Sequence, residues 1–85
     1  MSLRQLEYFV AVAEEGHVGR AARRCFVSQP PMSRQIRALE DELGASLFER
    51  VPRGMRLSAE GQRFMGYARE VLAAAERARR ALLDG

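Results

Sequence analysis

Eighty-five residues, 47% of them apolar and 29% charged, allow one small domain with a single modest core and argue against disorder. The net charge of +3 rests on arginine alone, with no lysine, which suits forked contacts to phosphate or guanine; the coding bias of a GC-rich genome accounts for the same excess. One cysteine excludes an internal disulfide, no apolar run reaches the roughly 18 residues of a membrane span, and the N-terminus lacks the charged-then-apolar form of a signal peptide, so a cytoplasmic, soluble chain is expected.

Charge says more by position than in total. Residues 17–37 hold Arg20, Arg23, Arg24, Arg34 and Arg37 without an acid. Residues 38–49 hold Glu40, Asp41, Glu42 and Glu49 without a base, and Arg50, Arg53 and Arg56 follow. Two basic blocks around an acidic spacer suggest two contact elements for an anionic partner.

In chain order, Ser2 and Gln5 have the spacing of a capping box. Leu3, Leu6, Val10 and Ala13, widened by Phe9, then mark a helical face that Gly16 ends. This first helix reads as core, since Glu7, Glu14 and Glu15 on its surface repel phosphate. A short second helix is expected over Val18–Arg24, with Ala21 and Ala22 small enough for a crossing helix to approach. Cys25, Phe26 and Val27 read as an apolar corner.

The next helix is the element the others position. Ser28 is a candidate N-cap, and Pro30 and Pro31 fit the first turn, where backbone donors have no intrahelical acceptor. Met32, Ile36, Leu39 and Leu43 recur at helical spacing as an inward stripe. The other face carries Gln29, Pro30, Ser33, Arg34 and Arg37, while Glu40, Asp41 and Glu42 wait in the second half and read as solvent-facing. An anion therefore meets the N-terminal end, where the helix dipole is also positive. Short helix, tight corner and capped polar-faced helix, about residues 18–37, form a helix-turn-helix.

After Gly44, residues 47–51 and 55–57 read as two strands around a Pro52-Arg53-Gly54 turn, a wing over about 47–57 with Arg53 at its tip. Ser58 is placed to cap a long last helix. Its Phe64, Ala68, Val71, Ala75, Ala78 and Leu82, widened by Met65 and Leu72, alternate at four and three as a coiled-coil seam does, which predicts a homodimer. The fold expected is mainly α: a winged helix-turn-helix (three-helix core plus two-stranded wing) over 1–58, then a linker and dimerisation helix over 59–85.

An enzyme is not indicated. His17, the only histidine, sits where a local cap or surface residue is expected. Cys25 has no sequence partner for a metal site or a nucleophilic dyad, and no glycine-rich phosphate loop follows a strand. Neither metal nor cofactor is expected.

Over nearly its whole length the sequence resembles the N-terminal DNA-binding domain of LysR-type transcriptional regulators. The resemblance lies in the opening Leu3-Arg4-x-Leu6-x-Tyr8-Phe9, the Ala21-Ala22 pair, Ser28-Gln29-Pro30 with Ser33-Arg34-Gln35-Ile36, Leu39-Glu40-x-x-Leu43-Gly44 and Leu47-Phe48-Glu49-Arg50. It implies sequence-specific double-stranded DNA binding by a dimeric bacterial regulator at an interrupted palindromic operator. By that pattern Gln29, Pro30, Ser33 and Arg34 meet bases or adjoining phosphates in the major groove, and Pro31 packs near a thymine methyl. Arg53 enters the minor groove, and Arg37 and Arg50 are candidates for phosphate. The Pro30-Pro31 pairing leans toward regulators of aromatic-compound catabolism.

The resemblance further implies a nucleoid-associated protein, a tetramer in the full-length parent, and an effector-binding domain outside this chain that alone takes the small-molecule effector. His17, Gly19 and Cys25 depart from the pattern, which usually has a small polar cap, often a hydroxyl residue, and normally a leucine there. The alternative is a helix-turn-helix-shaped interaction or dimerisation module without specific DNA binding.

Overall fold

The structure, a computed structural model, describes residues 1–84. In chain order it contains α1 (Leu3–Glu15), α2 (Val18–Arg24), α3 (Gln29–Leu43), β1 (Phe48–Val51), β2 (Gly54–Leu57) and α4 (Ala59–Asp84).

The core is organised around α1. Its start is fixed by the capping box, Gln5 N–H donating to Ser2 Oγ (3.1 Å) and Ser2 N–H to Gln5 Oε1 (3.0 Å). Gly16 ends it in the left-handed region, at φ 68°, its N–H reaching Val12 O. Phe9, fully buried, lies 5.4 Å from the ring of Phe48 and 5.2 Å from that of Phe64, so one side chain joins α1 to the wing and to α4. Ala21 and Ala22 are buried on α2, and Met32, Ile36 and Leu39 on α3.

Four local expectations need correction. Phe26 is not part of the apolar corner: it is 93% exposed, at φ 59°. The reason is the end of α2. Val27 N–H bonds Ala22 O (3.0 Å) and Phe26 N–H bonds Arg23 O (3.2 Å), a Schellman motif whose left-handed position points its side chain outward. Cys25 and Val27 alone close the corner against the core.

Ser28 is the N-cap of α3, yet its hydroxyl makes no cap hydrogen bond. Such a bond needs the N–H of the second or third helical residue, and these are Pro30 and Pro31, which have none. Leu43 is 38% exposed, because the last turn of α3 runs past the core. The acids after Leu39 are also not simply solvated: Glu40 accepts from Leu47 N–H (2.7 Å), tying α3 to the end of the loop that enters the wing, and Glu42 accepts from the N-terminal ammonium (2.7 Å).

The wing is an antiparallel pair in the register Phe48↔Leu57, Glu49↔Arg56, Arg50↔Met55, Val51↔Gly54. Its turn is only Pro52-Arg53, since Gly54 already belongs to β2. Glu49 and Arg56, opposite one another, form an ion pair at 3.0 Å. Met55 N–H donates to Gly16 O (3.0 Å), so the wing hangs from the junction of α1 and α2.

Ser58, buried, links wing and last helix: its Oγ accepts from Gly61 N–H (3.0 Å) and donates to Ser46 O (2.6 Å). At 1.5 Å per residue α4 is about 39 Å long, and it stretches the molecule to 48 × 25 × 19 Å. Its first half lies against α1 and β2. Of the expected seam, Ala68 is buried, and Phe64 and Leu72 are half-buried against this chain's own core. Those three are used within the fold. Val71, Ala78 and Leu82 are exposed and Ala75 half-buried. Past Leu72 the helix is held largely by itself, with Glu76 pairing Arg79 (2.8 Å) and Arg80 (2.9 Å) one turn on.

Candidate nucleic-acid interface

A cleft opens between the N-terminal half of α3 and the wing, with the start of α2 forming one end. From α3, Gln29, Ser33 and Arg37 line it at four-residue steps, and from the wing Arg50 and Arg53 face them. Pro30 and Arg34 occupy the next row of α3, exposed and outside the cleft lining, and Pro31 is half-buried. Eight residues singled out in the sequence thus lie on α3 and the wing, five lining one cleft and three beside it. The tip of α3 offers few backbone donors, because Pro30 and Pro31 lack them; an anion approaching here meets mainly side chains and the helix dipole.

Ion pairing divides the arginines. Arg24 reaches Glu14 (2.7 Å) and Glu15 (3.2 Å), and Arg20 donates to the carbonyl of Glu15 (2.8 Å). Both strap α2 to the end of α1. Hydrogen bonds from Arg69 first, then Arg24, hold the Glu14 carboxyl below the usual carboxylate range. Among the described residues Arg34, Arg37, Arg50 and Arg53 join no ion pair. Within the basic block of residues 17–37, Arg20 and Arg24 are thus engaged by the end of α1, whereas among the described residues Arg23, on the same helix, and Arg34 and Arg37, beside the cleft, join no ion pair. Glu40, at the inner end of the cleft, has its carboxylate engaged by Leu47 N–H.

His17 is the N-cap of α2, Nδ1 accepting from Arg20 N–H at 3.2 Å. It also lines the cleft with Val18 and Gly19. Sequence reasoning reached the cap but not the cleft, because only the docking of α2 against α3 brings residues 17–19 beside Gln29. Burial pushes the Cys25 thiol up, away from the thiolate form a nucleophile needs. On α4, Tyr67, 68% exposed, extends the exposed apolar stripe one turn before Val71. Its four-residue step from Val71 is readable in the sequence. No helix of the described residues is long and apolar enough to cross a membrane.

A three-helix core, an antiparallel wing hung on its first junction and a basic cleft between wing and third helix define a winged helix-turn-helix protein. The family described as "Bacterial regulatory helix-turn-helix protein, lysR family" matches residues 3–62, and the chain belongs to it. It is 55% identical over 80 residues to the HTH-type transcriptional regulator TfdT of Cupriavidus pinatubonensis, covering 94% of this chain and 35% of that protein. It is 58% identical over 72 residues to ClcR of Pseudomonas putida, covering 85% of this chain and 24% of the relative. The chain thus spans about a third or less of the length of these relatives. Among solved structures, a CbnR DBD–DNA complex superposes with a TM-score of 0.92 at 48% identity, covering 99% of this chain and 97% of that one. A BenM DBD/benA site 1 DNA complex gives 0.92 at 42% identity, covering 99% and 94%.

Proposed function

We propose that this chain binds double-stranded DNA sequence-specifically as the DNA-binding part of a bacterial transcription regulator, with α3 in the major groove and the wing over the adjacent minor groove. One observation carries the reading: the arginines without an intramolecular partner include Arg34 and Arg37 on the front of α3 and Arg50 and Arg53 on the wing, gathered around one polar cleft. Arginine without a carboxylate partner is free to meet phosphate or a base edge.

In this reading Gln29, Ser33 and Arg34 face base edges, and Pro30 and Pro31 pack against the groove. Arg37 and Arg50 neutralise phosphate, and Arg53 reaches the minor groove. Two copies pair through the stripe Tyr67, Val71, Ala75, Ala78 and Leu82, exposed in one chain except for the half-buried Ala75, so the operator is an interrupted palindrome. A longer parent protein, tetrameric, adds the effector-binding domain. The protein works in the cytoplasm without a cofactor or a catalytic step, and the proline pair of α3 favours an operon of aromatic-compound catabolism.

The test is a titration of the chain against a duplex selected from a random pool and a scrambled one, across a salt series. Log K falls with log salt by about 0.9 per neutralised phosphate. Arg37→Ala removes about one such unit and weakens both duplexes alike. Arg34→Ala weakens the selected duplex more than the scrambled one, by about 1–3 kcal/mol. Arg24→Ala lowers thermal stability and leaves the slope unchanged. Binding that ignores salt overturns the reading in favour of a protein-docking module.

A further inference from the structure

Gly19 is buried where α2 meets α3. A Cβ there would come within 2.8 Å of His17 Cε1, 3.1 Å of His17 Nδ1 and 3.1 Å of Gln29 Nε2. The volume a side chain at position 19 would fill is thus taken by an imidazole ring and the amide of the first residue of α3. The ring is tied to the start of α2 by the hydrogen bond that Nδ1 accepts from Arg20 N–H. His17, Gly19 and Gln29 all line the cleft that faces the wing. A side chain at position 19 would require the imidazole ring or the Gln29 amide to move, so the residues at 17, 19 and 29 share one volume.

We propose that His17 and Gly19 are positioning residues that set the orientation of the Gln29 amide, and with it the base preference at the position Gln29 reads. The proposal rests on the reading that α3 enters the major groove, where a glutamine amide pairs in two places with the N6 and N7 edge of adenine. That pairing needs the amide plane held in one orientation. A glutamine has three torsions to fix, and each immobilised rotamer-rich side chain costs affinity unless the free protein already holds it. In this proposal the imidazole, across the volume a side chain at position 19 would fill, limits the directions the Gln29 amide can take on that side. A cap with a small hydroxyl would leave that side open.

The experiment is selection of bound sequences from a random duplex pool by the whole chain and by three variants, each checked for folding by its thermal transition. Gln29→Ala identifies the base pair that Gln29 reads, as the position where preference disappears. His17→Ser keeps a side chain able to cap α2 and removes the ring. It is expected to reduce preference at that same base pair by at least about fivefold, leaving the rest of the motif intact. Gly19→Ala forces the ring or the amide to move and is expected to alter the same base pair.

If His17→Ser keeps full preference there, or lowers affinity equally for every sequence, the positioning role is overturned. If Gln29→Ala changes no base pair, the base-reading assignment of Gln29 itself fails, and the proposal falls with it. Should Gly19→Ala not fold, His17→Asn, a second ringless cap, gives the same comparison.

Discussion

Gly61 on α4 lies directly over the backbone carbonyl of Leu47, close enough that a Cβ at position 61 would overlap the carbonyl oxygen and stand 3.1 Å from its carbon. One turn and a half further along, Gly66 has nothing within 4 Å of the same hypothetical atom. Both are helical, and alanine is the better helix former by about 1 kcal/mol. The two substitutions should nevertheless have opposite signs. Gly66→Ala is expected to stabilise by about 0.5–1 kcal/mol. Gly61→Ala is expected to destabilise by about 1–3 kcal/mol, because the backbone of Leu47, just before β1, cannot step aside as a side chain could. Urea unfolding of the two variants compares them directly.

Phe26 occupies the left-handed position of the turn before α3, at φ 59°, with its ring 93% exposed. The ring contributes almost no burial, while the backbone conformation costs a non-glycine residue roughly 1–2 kcal/mol. Glycine relieves that strain but adds freedom to the unfolded chain. The balance favours Phe26→Gly by about 0.5–1 kcal/mol, seen as a higher melting temperature with an unchanged circular-dichroism spectrum. A lower melting temperature would show that the ring has a packing role.

Glu14 joins three helices: its carboxylate meets Arg24 of α2 at 2.7 Å and Arg69 of α4 at 2.9 Å. Its folded-state pKa lies below the ordinary value of 4.5, chiefly through the Arg69 hydrogen bond and then that of Arg24. A depressed carboxylate pKa contributes stability that is complete above the unfolded value and disappears as pH falls through the folded one. Glu14→Gln should therefore lower stability at neutral pH, by less than about 1 kcal/mol because all three side chains are solvent-screened. The difference from the unmodified chain should vanish in strong acid, as thermal melts at stepped pH would record.

Val71 is 41% exposed on a helix whose first half is already packed on its own domain. A charge there disturbs little within one chain and much between two. Sedimentation should find Val71→Asp monomeric at concentrations where the unmodified chain is dimeric, with the melting temperature of a dilute sample almost unchanged. A monomeric unmodified chain at high concentration would remove the paired arrangement.

Much of this fold is legible from local signals. The Ser2–Gln5 capping box, the stops at Gly16 and Gly44, the short helix over Val18–Arg24 and the wing each rest on chemistry within a few residues of where it acts. The failures are where a neighbour in sequence removes a partner or a neighbour in space supplies one. Ser28 has the right side chain for a cap but faces two prolines without donors. Phe26 has an apolar ring but sits at the one backbone position of its turn that cannot point inward. Glu40 looks solvated until the loop returns Leu47 N–H to it at 2.7 Å.

The sequence by itself determined which segments are helical, where each begins and ends, and that arginine crowds the helix-turn-helix and the wing, because capping, periodicity and charge are properties of short stretches. Only the tertiary structure decided which arginines are spent on Glu14 and Glu15 and which remain free, which half of α4 belongs to the domain, and that His17, Gly19 and Gln29 share one wall of the cleft. Those outcomes depend on distances between segments far apart in the chain, and no local spacing encodes them.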